Sequence, residues 1–143
     1  MDQKIMKKLL PSIAIAALLL TGCGQSSDEA GASRACALLA SSENSVYDAV
    51  WRWVEAGKPA GGTTAISSAL LQLPARVHSA AQAAPDTLLP AFRDLETAAE
   101  QWKKPSDDVA AQKFSKAAAT VNTACEAAGA PMNIRNPTNG TFE

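Results

Sequence analysis

The chain has 143 residues, with 13 Lys and Arg against 14 Asp and Glu, so its net charge at neutral pH is −1. No run of like charge exceeds two residues, which argues against a nucleic-acid-binding protein and against electrostatic docking on anionic lipid. Aromatic residues make up only 5% of a chain rich in alanine, a strong helix former whose side chain is too small to build a thick core. A small domain of closely packed helices is therefore expected.

The first 22 residues have the layout of an export signal. Lys4, Lys7 and Lys8 precede an apolar run over residues 9–20. That run is about half as long as the roughly 20 residues that a membrane-spanning helix needs. A short apolar run behind basic residues is typical of a signal peptide rather than of a membrane span. We therefore assign residues 1–22 to a cleaved signal peptide.

The LTGC sequence at residues 20–23 resembles the lipobox of bacterial lipoproteins. This resemblance implies cleavage between Gly22 and Cys23 and acylation of the Cys23 thiol. It also implies a location on the extracytoplasmic face of the cell membrane or of the outer membrane. Two or three acyl chains give a stable anchor, because each buried methylene contributes about 0.8 kcal/mol. The alternative is an ordinary secretory signal that ends near a cysteine.

Three segments follow the signal peptide. Residues 23–33 are small, polar and without periodicity, which predicts a lipidated N-terminus on a flexible tether. Residues 34–130 carry four amphipathic patterns joined by short connections, which predicts an all-α, antiparallel up-down four-helix bundle. Residues 131–143 form a turn-rich C-terminal tail that we expect to be mobile at its end.

The first two helices are separated by the glycine-rich segment 57–62. Helix one is predicted over residues 34–56, with Ser33 as its N-cap. Helix two is predicted from residue 63 or 64 to about residue 83. Pro74 lies inside its apolar pattern, so we expect a kink there, with a break into two shorter helices as the alternative.

The last two helices are bounded by capping residues and prolines. Asp86 is the predicted N-cap of helix three, and Lys103 and Lys104 are predicted to lie in its last turn, where cations complement the helix dipole. Ser106 is the predicted N-cap of helix four. Gly129 is expected to end that helix in a left-handed conformation.

Two cysteines remain beside Cys23. An even number of cysteines, Cys36 and Cys125, in an exported chain predicts one disulfide between them. The alternative is two free buried thiols. An up-down bundle brings the start of helix one next to the end of helix four, so the topology supports the pairing. A bridge across so long a loop is expected to stabilise the domain by roughly 4–5 kcal/mol.

The whole layout resembles small exported lipoproteins of high-GC actinobacteria, which combine a lipobox, a polar tether and an Ala-rich helical domain closed by a cysteine pair. The matching features are LTGC at 20–23, Cys36, LPARV at 73–77 and Cys125. The resemblance implies a location and a fold. It carries no assigned reaction.

Glu43 is the one residue that conflicts with the pattern around it, because it falls within the apolar arc of helix one. A buried carboxylate must pair or become protonated, and Arg76 and His78 on helix two are the candidate partners. One interpretation is that Glu43 lines a small internal pocket. The other is that the bundle is loose there and Glu43 reaches water.

Tyr47 and Trp51 lie one turn apart at the edge of the same helix face. They either pack against a neighbouring helix or form an exposed aromatic patch for a partner, a lipid or a glycan. His78 is the single histidine of the chain, and we expect it to make a structural hydrogen bond. No H-x-x-H pattern surrounds it, and a metal site would need further ligands.

The sequence offers no nucleophile–base set, phosphate loop or cofactor motif, so we expect no catalytic residue, no metal and no cofactor. The hypothesis is a non-enzymatic lipoprotein that attaches to the membrane through its lipid and acts as a binding or envelope-structural module, with envelope proteins as partners. The alternative is a carrier that holds a small apolar or lipid ligand between its helices.

Overall fold

Four helices make up the computed structural model, which describes residues 26–142. They are α1 (Ser27–Glu55), α2 (Thr64–Ala83), α3 (Leu89–Gln101) and α4 (Asp108–Ala127). Each helix packs against the next, and α1 also contacts α4. The only strand-like pairing among the described residues is an isolated bridge between Arg135 and Phe142. The predicted all-α four-helix bundle is confirmed.

The core is built from side chains at helical spacing on all four helices. Trp102 and Phe114 join α3 to α4, with ring centroids 5.3 Å apart. Burying each large apolar side chain contributes about 1.5–3 kcal/mol. The largest fully buried apolar side chains are Leu39, Val46, Leu70, Leu73, Val77, Phe92, Leu95, Phe114 and Val121. Buried apolar residues of the four helices thus form one hydrophobic core.

The predicted disulfide between Cys36 and Cys125 is present, with the two Cα atoms 6.0 Å apart. Both cysteines are buried in the core. The bridge connects α1 to α4 and so closes the bundle across 89 residues of sequence. Cys36 lies in the third turn of α1 rather than in the first, because that helix begins earlier than the sequence pattern predicts.

Residues 27–33, which the sequence assigns to the tether, form the first turns of α1. Ser26 is the N-cap, not Ser33: its Oγ accepts from the backbone N–H of Glu29, and the Glu29 carboxylate accepts from the backbone N–H of Ser26. This capping box satisfies two N–H groups that would otherwise lack partners. The signal peptide, the lipobox and the remaining tether residues 23–25 lie outside the described residues.

α2 runs without interruption through Pro74, so a break into two helices is wrong. Pro74 removes one backbone hydrogen bond. The buried residues Leu70, Leu73 and Val77 keep their helical phase on both sides of it. Their packing against the neighbouring helices outweighs the missing bond.

α3 begins at Leu89, after the predicted N-cap Asp86. The Pro85 carbonyl accepts from the N–H groups of Leu88 and Leu89 and forms a separate turn, which delays the helix. α3 ends at Gln101, so Lys103 and Lys104 lie beyond its last turn.

α4 is capped by Asp107 and not by Ser106. The Asp107 Oδ1 accepts from the N–H of Ala110 at 3.0 Å. At the other end of the helix, Gly129 has φ +73°, and its N–H donates to the Glu126 carbonyl while the N–H of Ala130 donates to the Cys125 carbonyl. The predicted left-handed C-terminal glycine is confirmed.

The C-terminal segment, residues 131–142, turns back along α1. Met132 is buried, and Asn44 of α1 donates to the Asn133 carbonyl (2.8 Å) and accepts from the Arg135 N–H (2.7 Å). Gly140 has φ +74°, and a Cβ there would lie 2.6 Å from the Trp51 ring, so only glycine fits this turn. The segment therefore forms one wall of a cleft on the bundle.

No helix within residues 26–142 combines the length and the apolar character that crossing a bilayer requires.

Candidate functional site

A cleft of about 290 Å³ lies between α1, α4 and the C-terminal segment. We call it the Glu43 cleft. Its polar residues are Glu43, Tyr47, Ser115, Asn122, Arg135 and Asn136. Its apolar residues are Ala118, Ala119, Ile134 and Pro137.

Glu43 is a buried carboxyl group without a charged partner. Only 2% of its surface is exposed, so the interpretation that it reaches water is wrong. Its Oε1 has no hydrogen-bond partner among the described residues. Burial disfavours the charged form and raises the pKa of Glu43 from 4.5 to about 7. The group therefore changes charge near neutral pH.

The two partners that the sequence suggests for Glu43 are engaged elsewhere. Arg76 donates to Gln72 one turn away on α2. His78 contacts Glu96 of α3 through Nδ1 and Gln82 through Nε2. His78 thus joins α2 to α3 and does not line the Glu43 cleft.

Tyr47 follows Glu43 by one helical turn and lines the same cleft. Burial, together with the nearby Glu43 carboxylate, raises the pKa of Tyr47 above its usual value, while a hydrogen bond with Ser115 of α4 acts in the opposite direction. The phenol therefore stays protonated and presents a neutral hydroxyl to the cleft.

Trp51 lies one turn beyond Tyr47 and is half-buried under the C-terminal segment at Gly140. Tyr47 therefore packs against the core and contacts Ser115 of the neighbouring helix α4, whereas Trp51 packs under the C-terminal segment, so the two residues do not form a joint exposed patch. Tyr47 faces the cleft, and Trp51 supports the segment that forms the cleft wall.

Arg135 is the cation of the cleft, and its charge is already compensated. Its guanidinium forms an ion pair with Asp48 of α1, donates to the Gly140 carbonyl at 2.7 Å, and lies 4.5 Å from the centre of the Phe142 ring. These contacts hold the C-terminal segment in its turn.

Ser115, Asn122 and Arg135 are cleft residues that the sequence does not single out. Asn122 comes directly after the buried Val121 on α4, and its Oδ1 is buried without a hydrogen-bond partner among the described residues. The Glu43 cleft thus contains two unpartnered acceptor oxygens, one from α1 and one from α4. Within residues 26–142, no cluster of three or more His, Cys, Asp or Glu side chains is placed to hold a metal ion.

A second pocket of about 310 Å³ lies at the end of the bundle opposite the disulfide. We call it the tryptophan pocket; its walls are Val50, Trp53, Thr63, Ile66, Trp102, Pro105 and Ser106. Trp53 donates its indole N–H to the Pro59 carbonyl at 3.2 Å. The indole N–H of Trp102 is buried and has no partner among the described residues.

Comparison with known proteins adds no relative whose ligand or partner bears on either pocket. No family model, no curated protein and no solved structure matches this chain.

Proposed function

We propose that the protein is a lipoprotein held on the extracytoplasmic face of an envelope membrane by acyl chains on Cys23. The LTGC sequence behind a short apolar run carries this proposal. The disulfide between Cys36 and Cys125 supports it, because such bonds persist in oxidising compartments outside the cytoplasm.

The anchor places the bundle close to the membrane. Ser26, the N-cap of α1, follows Cys23 by three residues, and a fully extended chain spans at most about 3.5 Å per residue. The start of α1 therefore lies within about 10 Å of the acylated residue. The end of the bundle that contains the disulfide faces the lipid headgroups.

The helical domain acts, in this proposal, as a non-enzymatic binding module whose site is the Glu43 cleft. The observation that carries this part is the buried carboxyl of Glu43 in an open cleft, whose Oε1 has no hydrogen-bond partner among the described residues. Burying such a group without a hydrogen-bond partner is unfavourable. Its presence is therefore expected where a ligand or a partner protein donates the missing hydrogen bond.

Replacement of Cys23 tests the anchor. In a bacterial host, we expect the wild-type chain to sediment with membranes and to incorporate a labelled fatty acid. The Cys23→Ala variant should lose both properties, because no other residue offers the acylated thiol. Cys125→Ala is the matched control, since it removes a cysteine but keeps Cys23. Membrane association that persists in Cys23→Ala would contradict the proposal.

A carrier of small apolar molecules is the second candidate function. The tryptophan pocket favours it, because two indole rings and Ile66 line it and an unpartnered indole N–H offers one polar contact. Native mass spectrometry of the full chain extracted from its own envelope separates the two functions. A carrier retains a small apolar molecule that an Ile66→Trp variant, with the pocket filled, no longer retains. A ligand-free chain that cross-links to envelope proteins supports the module.

A further inference from the structure

We propose that the Glu43 cleft binds a small organic amine, whose ammonium group donates hydrogen bonds to the buried acceptors of the cleft. This inference rests on the proposed function, since it names the class of ligand for the cleft assigned to binding there.

Two acceptor oxygens in the cleft lack donors. Glu43 Oε1 comes from α1 and Asn122 Oδ1 from α4, and both are buried without a hydrogen-bond partner among the described residues. Both residues line the same cleft. An ammonium group carries three N–H donors and no acceptor, so its chemistry matches unpartnered acceptor oxygens, whereas an ionised carboxylate or phosphate ligand offers them no donor.

The charge balance of the cleft favours a cation over a neutral donor. Among residues 26–142, Arg135 is the one positively charged residue that lines the cleft, and it is paired with Asp48 and donates to the Gly140 carbonyl. Lys116 of α4 lines a different surface pocket, next to Asp94. Ionised Glu43 therefore has no counter-charge from the described residues, and the upward shift of its pKa agrees with this. A ligand cation supplies the missing charge.

The rest of the cleft fits the apolar part of a small amine. Ala118 and Ala119 on α4 face Ile134 and Pro137 of the C-terminal segment across the cleft. These side chains offer no hydrogen bonds, so they suit a short alkyl chain. The resulting ligand has an ammonium group at Glu43 and a few carbon atoms toward the opening.

The test uses n-butylamine as probe with the full chain in detergent micelles, followed by ¹H–¹⁵N NMR of the Asn122 side-chain amide. n-Butanol and butyrate are matched probes with the same chain length but without the positive charge. We expect butylamine to bind most tightly. The Glu43→Gln variant should bind butylamine at least about tenfold more weakly, because a hydrogen bond to a charged group contributes roughly 1.5 kcal/mol to binding.

Two control variants accompany Glu43→Gln. Glu55→Gln changes an exposed carboxylate at the end of α1 and should leave binding unchanged. Asn122→Leu removes the second acceptor. Its affinity for butylamine, followed by the backbone N–H signals around the cleft, should fall less than that of Glu43→Gln.

Binding of butylamine is also expected to be stronger at about pH 8 than at about pH 5.5, because Glu43 is ionised only at the higher value.

A difference in butylamine affinity between the two pH values can be assigned to Glu43, because few other charged or titratable groups of the described residues lie around the cleft. They are Tyr47 on α1, whose pKa is raised, and the Asp48–Arg135 pair; α4 contributes only the non-titrating Ser115 and Asn122. Equal binding of butanol and butylamine, or full affinity in Glu43→Gln, would overturn the amine class while leaving a binding cleft. No response of the cleft signals to any probe would overturn both the amine and the cleft's assignment to binding.

Discussion

Glu43 is an ionisable group whose environment opposes its charge. It is buried on α1 among Leu39, Val46 and the α4 side chains, and burial raises its pKa to about 7. Well below pH 4.5 the carboxyl is protonated in both the folded and the unfolded chain, so stability does not change with pH through this group there. Between 4.5 and about 7 the unfolded chain ionises first, so stability falls as the pH rises through this range. The difference between the two pKa values corresponds to about 3 kcal/mol.

Replacement of Glu43 by Gln is therefore expected to stabilise the protein in a pH-dependent way. Urea unfolding at about pH 8 should show Glu43→Gln to be more stable than wild type by up to about 3 kcal/mol. At about pH 4 the two proteins should differ little, because Glu43 is neutral in both states. Glu55→Gln, on the exposed side of α1, is the control. If Glu43→Gln changed the free energy of unfolding equally at both pH values, the pKa of Glu43 would not be raised in the folded chain, and the prediction would be wrong.

At the scale of the helices, local patterns predict the element types well and their ends less well. α2 begins and ends where the sequence predicts, because the glycines before it and Pro85 after it are strong local signals; a proline favours an extended conformation for the residue before it, here Ala84. The start of α1 is missed, although Ser26 and Glu29 form a capping box, because few large apolar residues mark its first turns. Buried Ala32 and Ala35 continue the core face there, and alanine carries little periodic signal.

The Glu43 cleft is only half predictable from the sequence. Glu43 stands out locally because a carboxyl group on an apolar face conflicts with the helix pattern, and Tyr47 stands out because it lies one turn from Trp51 at the edge of that face. Arg135 and Asn122 do not, because their role depends on the return of the C-terminal segment along α1. The bond from the Arg135 N–H to Asn44 joins residues 91 positions apart, and no local pattern encodes such a contact. The contact between His78 and Glu96 of α3 is hidden for the same reason.

At the scale of the whole molecule, the disulfide lies toward the end of the bundle at which α1 begins, and the proposed anchor precedes that helix in the sequence. The Cys36–Cys125 bridge holds α1 to α4, and those two helices also carry the acceptor oxygens of the Glu43 cleft. A disulfide that closes so long a loop is expected to stabilise the domain by roughly 4–5 kcal/mol. That is a large share of the free energy of unfolding of about 5–15 kcal/mol that is typical of folded domains. The disulfide therefore helps to hold α1 and α4, which form two walls of the cleft, in their relative positions.

Mass spectrometry of the chain purified from membranes of its own host is the most direct test of this account. Without reduction, proteolysis should yield an N-terminal peptide that begins at Cys23 and carries acyl chains. The same digest should yield a cross-linked pair of peptides that contain Cys36 and Cys125. An unmodified Cys23, a peptide that spans the Gly22–Cys23 bond, or a disulfide that includes Cys23 would contradict a lipid-anchored bundle closed by its other two cysteines.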